Sequence, residues 1–200
     1  MLAKVVVIEG PDKVGKETQS NMLAHSLRLQ GDRVSLVEIP FNDHFTYTVI
    51  YKMLRSGSAK RWPNVFQFIQ FLNKLIFQWT VLLVLRFVCD IVVLDRWSLS
   101  SIVYGDATGV NKTFNRILFW LLLKPHVTCV LHGPSFVRKS VDDVYEKDTD
   151  LQIAVRTGYY DWVQEHPFDH DLIDNQGSHD DVHERVLDVV LTEIQESYEI

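Results

Sequence analysis

Gly10, Gly15, Lys16 and Thr18 lie near the start of the chain in a spacing that handles phosphate. The stretch from Val5 to Ser20 reads VVVIEGPDKVGKETQS. In the pattern G-x-x-x-x-G-K-[ST], glycines let backbone N–H groups turn inward around phosphate oxygens, and the lysine reaches the β- and γ-phosphates. The helix that opens there adds partial positive charge. Gly10, Val14, Gly15, Lys16, Glu17 and Thr18 are therefore the expected cradle for the phosphates of ATP. Where the pattern has a hydroxyl, this chain has Glu17, with Thr18 one place late. That hydroxyl ordinarily holds Mg²⁺. A carboxylate can bind Mg²⁺ directly or through water, so Glu17 is expected at an altered metal site.

A second group of reactive side chains stands in VVLDRWSLSSIVYGDATG. Asp95 ends an apolar run and Arg96 follows it. An Asp at the carboxyl end of a parallel strand can hold the water shell of Mg²⁺, and a guanidinium can grip a second phosphate in its planar fork. Asp95 is thus the second expected metal residue.

These loops need a scaffold. Ala3–Ile8, Val34–Glu38, Ile91–Leu94, Val127–Leu131 and Leu172–Ile173 read as short buried strands. Helices are expected from Gly15 to Gln30, over Val65–Cys89, Phe114–Leu123 and Leu151–Gln164, and from His179 to Ser197. Such alternation predicts an α/β fold with a parallel sheet of about five strands covered by helices on both faces. Residues 1–200 read as one domain. The polar stretch Gly133–Asp150 reads as a lid.

Composition narrows the function classes. The 200 residues are 46% hydrophobic and carry a formal charge of −6, which argues against a general nucleic-acid binder. Cys89 and Cys129 both sit in apolar runs, which suits buried thiols in a reducing, cytoplasmic compartment. TVLLVLRFVCD and FWLLLK are apolar, but charges interrupt both. They read as buried helices rather than membrane spans.

Five blocks, in order along nearly the whole chain, resemble the thymidylate kinases. They are IEGPDKVGKETQS, LDRWSLSSIVYG, KPHVTCVLHGP, VYEKDTDLQIAVRTGYYDW and LIDNQGSHDDVHERV. The resemblance implies a P-loop nucleoside monophosphate kinase that moves the γ-phosphoryl of ATP onto a deoxypyrimidine monophosphate, with Mg²⁺, as a homodimer. Among acceptors, the resemblance favours thymidylate. It further implies that Lys13 is the catalytic cation, that Arg96 binds the acceptor phosphate, and that Asp12 accepts from the sugar 3′-hydroxyl. Tyr104 would crowd the 2′ position and Lys74 would reach the base carbonyl. Phe41, Ser100 and Gly105 fall on the acceptor side. Arg138, Arg156 and the Asn175–Gln176 turn fall on the ATP side.

Several positions depart from the family pattern. Val144 replaces the usual lid arginine. Gln70 occupies the place of a stacking phenylalanine. Gly105 follows Tyr104 where relatives carry a larger residue, which predicts a roomier pocket. Two alternatives stay open: a kinase for a modified nucleotide such as 5-hydroxymethyl-dUMP, and a non-catalytic nucleotide binder.

Overall fold

The computed structural model describes residues 2–134, 148–166 and 170–199. The expected lid arginine position Val144, together with Arg138, lies outside them.

Five parallel strands form the sheet: β1 (Lys4–Glu9), β2 (Val34–Glu38), β3 (Ile91–Asp95), β4 (Val127–His132) and β5 (Asp171–Asp174), in the order β2-β3-β1-β4-β5. The central strands are apolar along their length because both faces are covered. Alternate side chains feed two layers. Val6, Ile8, Val93, Cys129 and Leu131 meet helices α1 (Lys16–Leu29) and α9 (His179–Glu199). Val5, Val7, Val92 and Leu94 pack on the opposite face. Each such buried valine contributes about 1.5–3 kcal/mol. Cys89 and Cys129 are free thiols.

The opposite layer contains α4 (Pro63–Phe77), α6 (Ser98–Ala107), α7 (Lys112–Trp120) and α8 (Thr149–Glu165). Before α4 come α2 (Phe45–Ser56) and the short α3 (Ser58–Arg61). The sequence reading missed α2, α3 and α6. Phe45-Thr46-Tyr47-Thr48-Val49-Ile50 is rich in β-branched and aromatic residues of low helix propensity, and packing overrides that preference.

The single long helix expected over Val65–Cys89 is interrupted. A π-turn at Gln78–Leu82 separates α4 from α5 (Leu83–Val88). The expectation that this stretch is buried holds for the inner face of α4, but α5 has no buried residue. Pro63–Val88 is long and apolar enough to cross a membrane by length and composition. Its polar residues point to a different setting. Asn73 and Lys74 are buried with hydrogen-bond partners inside the fold. Gln78 Oε1 accepts from the Leu123 N–H at 2.5 Å.

Candidate active site

The loop between β1 and α1 lies at the carboxyl edge of the sheet, next to the point where strand order reverses around β1. Open parallel sheets bind ligands there. Gly10 has φ 141°, and a Cβ on it would lie 2.6 Å from the Leu131 carbonyl oxygen. Only glycine fits that approach of loop to β4. Gly15 is left-handed at φ 100° and serves as the N-cap of α1 without a side-chain hydrogen bond. His44, Asn111 and Asp148 cap α2, α7 and α8 with side-chain acceptors. At the N-terminus of α1 no N-cap side chain competes with an anion for the backbone N–H groups.

Lys16 is buried, and its Nζ donates to the Pro11 carbonyl at 2.5 Å. Burial, then Arg96, pull its pKa down to about 8 against Asp12, Asp95 and Glu9. Val14 is buried in the core, and its carbonyl accepts from Asn175 Nδ2 at 3.1 Å, so it can offer a ligand only backbone. Glu17 is exposed on the first turn of α1 beside the partly buried Thr18.

Asp95 ends β3, opposite Ile8 on one side and Glu38 on the other. Burial, with Glu38 and Glu9, outweighs Arg96 and Lys16 and raises its carboxyl to about 6. A divalent cation would relieve this excess of negative charge. Among the described residues no three His, Cys, Asp or Glu side chains cluster to hold a metal alone. Asp95, Glu17 and Thr18 are hard oxygen donors, and Mg²⁺ binds through one or two carboxylates, waters and substrate phosphates. The donor set therefore fits Mg²⁺.

Arg96 pairs with Asp12 across 84 residues of chain. Burial opposes Asp12's charge, but Arg96, Lys16 and hydrogen bonds hold its carboxyl at about 2. Gln152 Nε2 donates to the second Asp12 oxygen at 3.0 Å. The Arg96 guanidinium lies 5.8 Å from the centre of the buried Tyr104 ring. Lys13 and Arg96 both hold positive φ, 63° and 72°. Such conformations cost of order 1–3 kcal/mol and cluster at functional sites.

Glu9 was not anticipated as a site residue, and it organises this corner. It is fully buried at the end of β1. Its Oε1 accepts from the backbone N–H groups of Trp97 (2.7 Å) and Ser100 (3.2 Å), capping α6. Its Oε2 accepts from the Ser100 and Tyr159 hydroxyls. Ser100 is thereby tied to Glu9. A carboxylate closing an otherwise apolar strand was the available signal. Gln152 carried none, because its partner lies 140 residues away.

A cavity of about 120 Å³ opens beside the Asp12–Arg96 pair. Ile39, Pro40, Ile50, Tyr51, Leu54 and Phe66 give it apolar walls, and Gln70, Lys74, Ser100 and Tyr104 also line it. It is small beside the roughly 300–1,000 Å³ of drug-sized sites and suits one flat ring.

Two expected acceptor residues lie elsewhere. Gly105 does not line the cavity. A Cβ on it would meet the Asn115 amide, 2.4 Å from Nδ2, so α7 already fills that space and the roomier wall expected there does not form. Phe41 packs on Phe77 with ring centres 5.1 Å apart. Its backbone is bracketed by Asn73, which accepts from the Phe41 N–H at 2.8 Å and donates to the Phe41 carbonyl at 2.9 Å.

On the ATP side, Asn175 is buried, and its Nδ2 donates to the carbonyls of Val14 and Pro134. That amide staples β5 to the phosphate loop. Gln176 is exposed, and its carbonyl accepts from Arg185. Arg156 donates to the Gly133 carbonyl at 3.2 Å.

The comparisons agree with this geometry. A thymidylate kinase of Plasmodium falciparum (isolate 3D7) is 27% identical over 161 residues, which cover 72% of this chain and 70% of that protein. The sequence model of one family, described as thymidylate kinase, matches residues 8–186. With the five-stranded parallel sheet and the phosphate loop in place, the chain belongs to the thymidylate kinase family and is a nucleoside monophosphate kinase.

Proposed function

We propose that the chain transfers the γ-phosphoryl group of ATP to thymidine monophosphate, giving thymidine diphosphate. The observation that carries this reading is the partly buried Asp12–Arg96 pair, which stands beside a cavity for one ring. Backbone N–H groups from Asp12 to Thr18 and the Lys16 ammonium would hold the donor phosphates. Arg96 would hold the acceptor phosphate, and the Asp12 carboxylate would accept from the sugar hydroxyl. Tyr104 lies against Arg96 and would narrow the sugar site in favour of deoxyribose. Lys13, on the loop, would follow the migrating phosphoryl charge.

Phosphoryl transfer is catalysed by positioning and charge neutralisation, without covalent chemistry by the protein. Mg²⁺, held through Asp95 and the Glu17–Thr18 turn, would neutralise phosphate charge. The protein's own part would be to keep Lys16 and Arg96 fixed. Glu9 does this for Arg96 by locking the start of α6.

The homodimer belongs to the same proposal. Trp79, Phe87 and Trp120 are 64%, 68% and 82% exposed, an apolar surface that a second copy would cover. The thiols fit a reducing compartment such as the cytoplasm. An ADP-release assay across all deoxy- and ribonucleoside monophosphates, with and without Mg²⁺, tests the reading. Thymidylate should lead by kcat/KM, and a purine or ribonucleotide in first place overturns it.

A further inference from the structure

Arg96 holds a left-handed backbone at φ 72°, and its side chain must be kept in place from that strained start. Its Nη2 donates to Asp12, and its Nη1 lies 3.5 Å from Ser100 Oγ. Directly behind Ser100 stands the fully buried Glu9. A buried carboxylate short of donors is costly and draws the nearest cation. Arg96 nevertheless makes no hydrogen bond to Glu9 among the described residues.

The reason lies in how Glu9 is occupied. An ionised carboxylate has about four acceptor sites on its two oxygens. The Trp97 and Ser100 N–H groups take Oε1, at 2.7 and 3.2 Å. The Ser100 hydroxyl takes one side of Oε2. The Tyr159 hydroxyl covers the other side, 3.2 Å from Oε2 and 2.9 Å from Ser100 Oγ. The first three donors belong to residues just after Arg96, and only Tyr159 arrives from a distant element, α8.

Tyr159 is held firmly for this task. It is fully buried, and its ring packs with Leu99, Val103 and Val155. The two helices approach closely beside it, since a Cβ on Gly158 would stand 3.0 Å from Val103 Cγ1. Burial, then Glu9, push the Tyr159 hydroxyl well above its ordinary value against the pull of Arg96, so it stays a donor at any working pH. Without that hydroxyl, an acceptor site on Oε2 would open one side chain away from Arg96. Charge-assisted bonds are about twice as strong as neutral ones, so the guanidinium would turn to Glu9 and away from a phosphate.

We propose that Tyr159 is a positioning residue for the transfer: its hydroxyl fills the last acceptor site of Glu9 and so keeps the Arg96 guanidinium available to the acceptor phosphate. This rests on the reading above that Arg96 holds that phosphate. The same helix, α8, places Gln152 on Asp12, so it supports both members of the Asp12–Arg96 pair.

Tyr159→Phe removes one oxygen and keeps the buried ring. Dissociation constants of thymidine and thymidylate are measured by calorimetry for the full-length wild type and the variant, because only thymidylate carries the phosphate. The wild type should bind thymidylate more tightly than thymidine, and the variant should lose about tenfold or more of that advantage, the effect of one hydrogen bond to a charged group. A purely structural defect would weaken both ligands alike, so an unchanged ratio in the folded variant overturns the proposal. A wild type that holds thymidylate no better than thymidine removes the acceptor role of Arg96 and this proposal with it. If dCMP leads the ADP-release assay, the thymidylate reading falls alone, and the ratio is read with deoxycytidine and dCMP. If Tyr159→Phe does not fold, a crystal structure of the wild type with its acceptor decides. Arg96 on the phosphate and off Glu9 upholds the proposal, and a hydrogen bond from Arg96 to Glu9 overturns it.

Discussion

At the scale of single residues, the site is a set of charges that burial would neutralise if they did not hold one another. In the proposed reaction Arg96 and Lys16 would each neutralise charge on a different phosphate group, so neither would replace the other. Lys16→Ala and Arg96→Ala should each lower kcat by about a hundredfold or more, with Lys16→Ala acting on the donor and Arg96→Ala on the acceptor. Near wild-type turnover by either folded variant, in a steady-state assay, would remove its assigned role. Lys74 offers a test that needs no substrate. Burial pulls it down to about 7 from an ordinary 10.5, with Glu9 raising it and Arg96 lowering it further. Between about pH 7 and 10.5 the unfolded chain therefore binds a proton that the folded chain does not. Stability then rises with pH through that window, and the cost of burying the charge is full below it. From pH 7 to 9 the wild type should gain on the order of 2 kcal/mol relative to Lys74→Met. Denaturant melts of both proteins at the two pH values check this, and parallel curves would contradict it.

At the scale of elements, α4, α6 and α7 meet where side chains replace one another in space. Asn115 on α7 is fully buried, and its Nδ2 donates to the Ile102 carbonyl at 3.0 Å on α6. It occupies the volume that a side chain at position 105 would take. Gly105→Ala should therefore destabilise the fold by about 1–3 kcal/mol through overpacking. The double variant with Asn115→Ala should be less destabilised than the sum of the singles, since the two changes share one space. Simple additivity in urea melts would show that the contact is not what demands glycine. Asn73 links α4 to the chain entering α2, bonding both Phe41 backbone groups and Thr46 Oγ1 at 2.8 Å. Asn73→Ala should free the Ile39–Pro40 wall of the cavity and raise KM for the acceptor several-fold more than KM for ATP. Equal effects on both would point to a global loss of stability instead.

At the scale of the whole molecule, the unusual feature is apolar surface left outside the core. The π-turn brings Gln78 against Leu123, three residues past α7, and Trp79 and Trp120 are both exposed. Exposed aromatic area of this kind marks an interface. Sedimentation should find a dimer, and Trp79→Glu with Trp120→Glu should convert it to monomer. A wild-type monomer at micromolar concentration would refute the arrangement. The charges that describe the molecule as a whole, −6 in total, do not describe the candidate site, where Lys16 and Arg96 lie close enough to lower the Lys16 pKa.

Sequence by itself determined the parts governed by local rules. The run Val5-Val6-Val7-Ile8 can only be a strand covered on both faces, and Gly10 and Gly15 mark backbone that must turn where a Cβ does not fit. The positions of Asp95 and Arg96 followed from the end of an apolar run. Family resemblance then linked these pieces to phosphoryl transfer. Tertiary structure decided whatever depends on residues distant in sequence. Nothing near Glu9 shows that it caps a helix 88 residues away, and nothing near Asp12 shows Gln152. The expected effect of Gly105 failed because a side chain from another helix fills the space beside it. The tie of Tyr159 to Glu9 was likewise invisible, because 150 residues separate them. A residue's type limits which hydrogen bonds it can make, and only the folded packing settles which of them are left for a ligand.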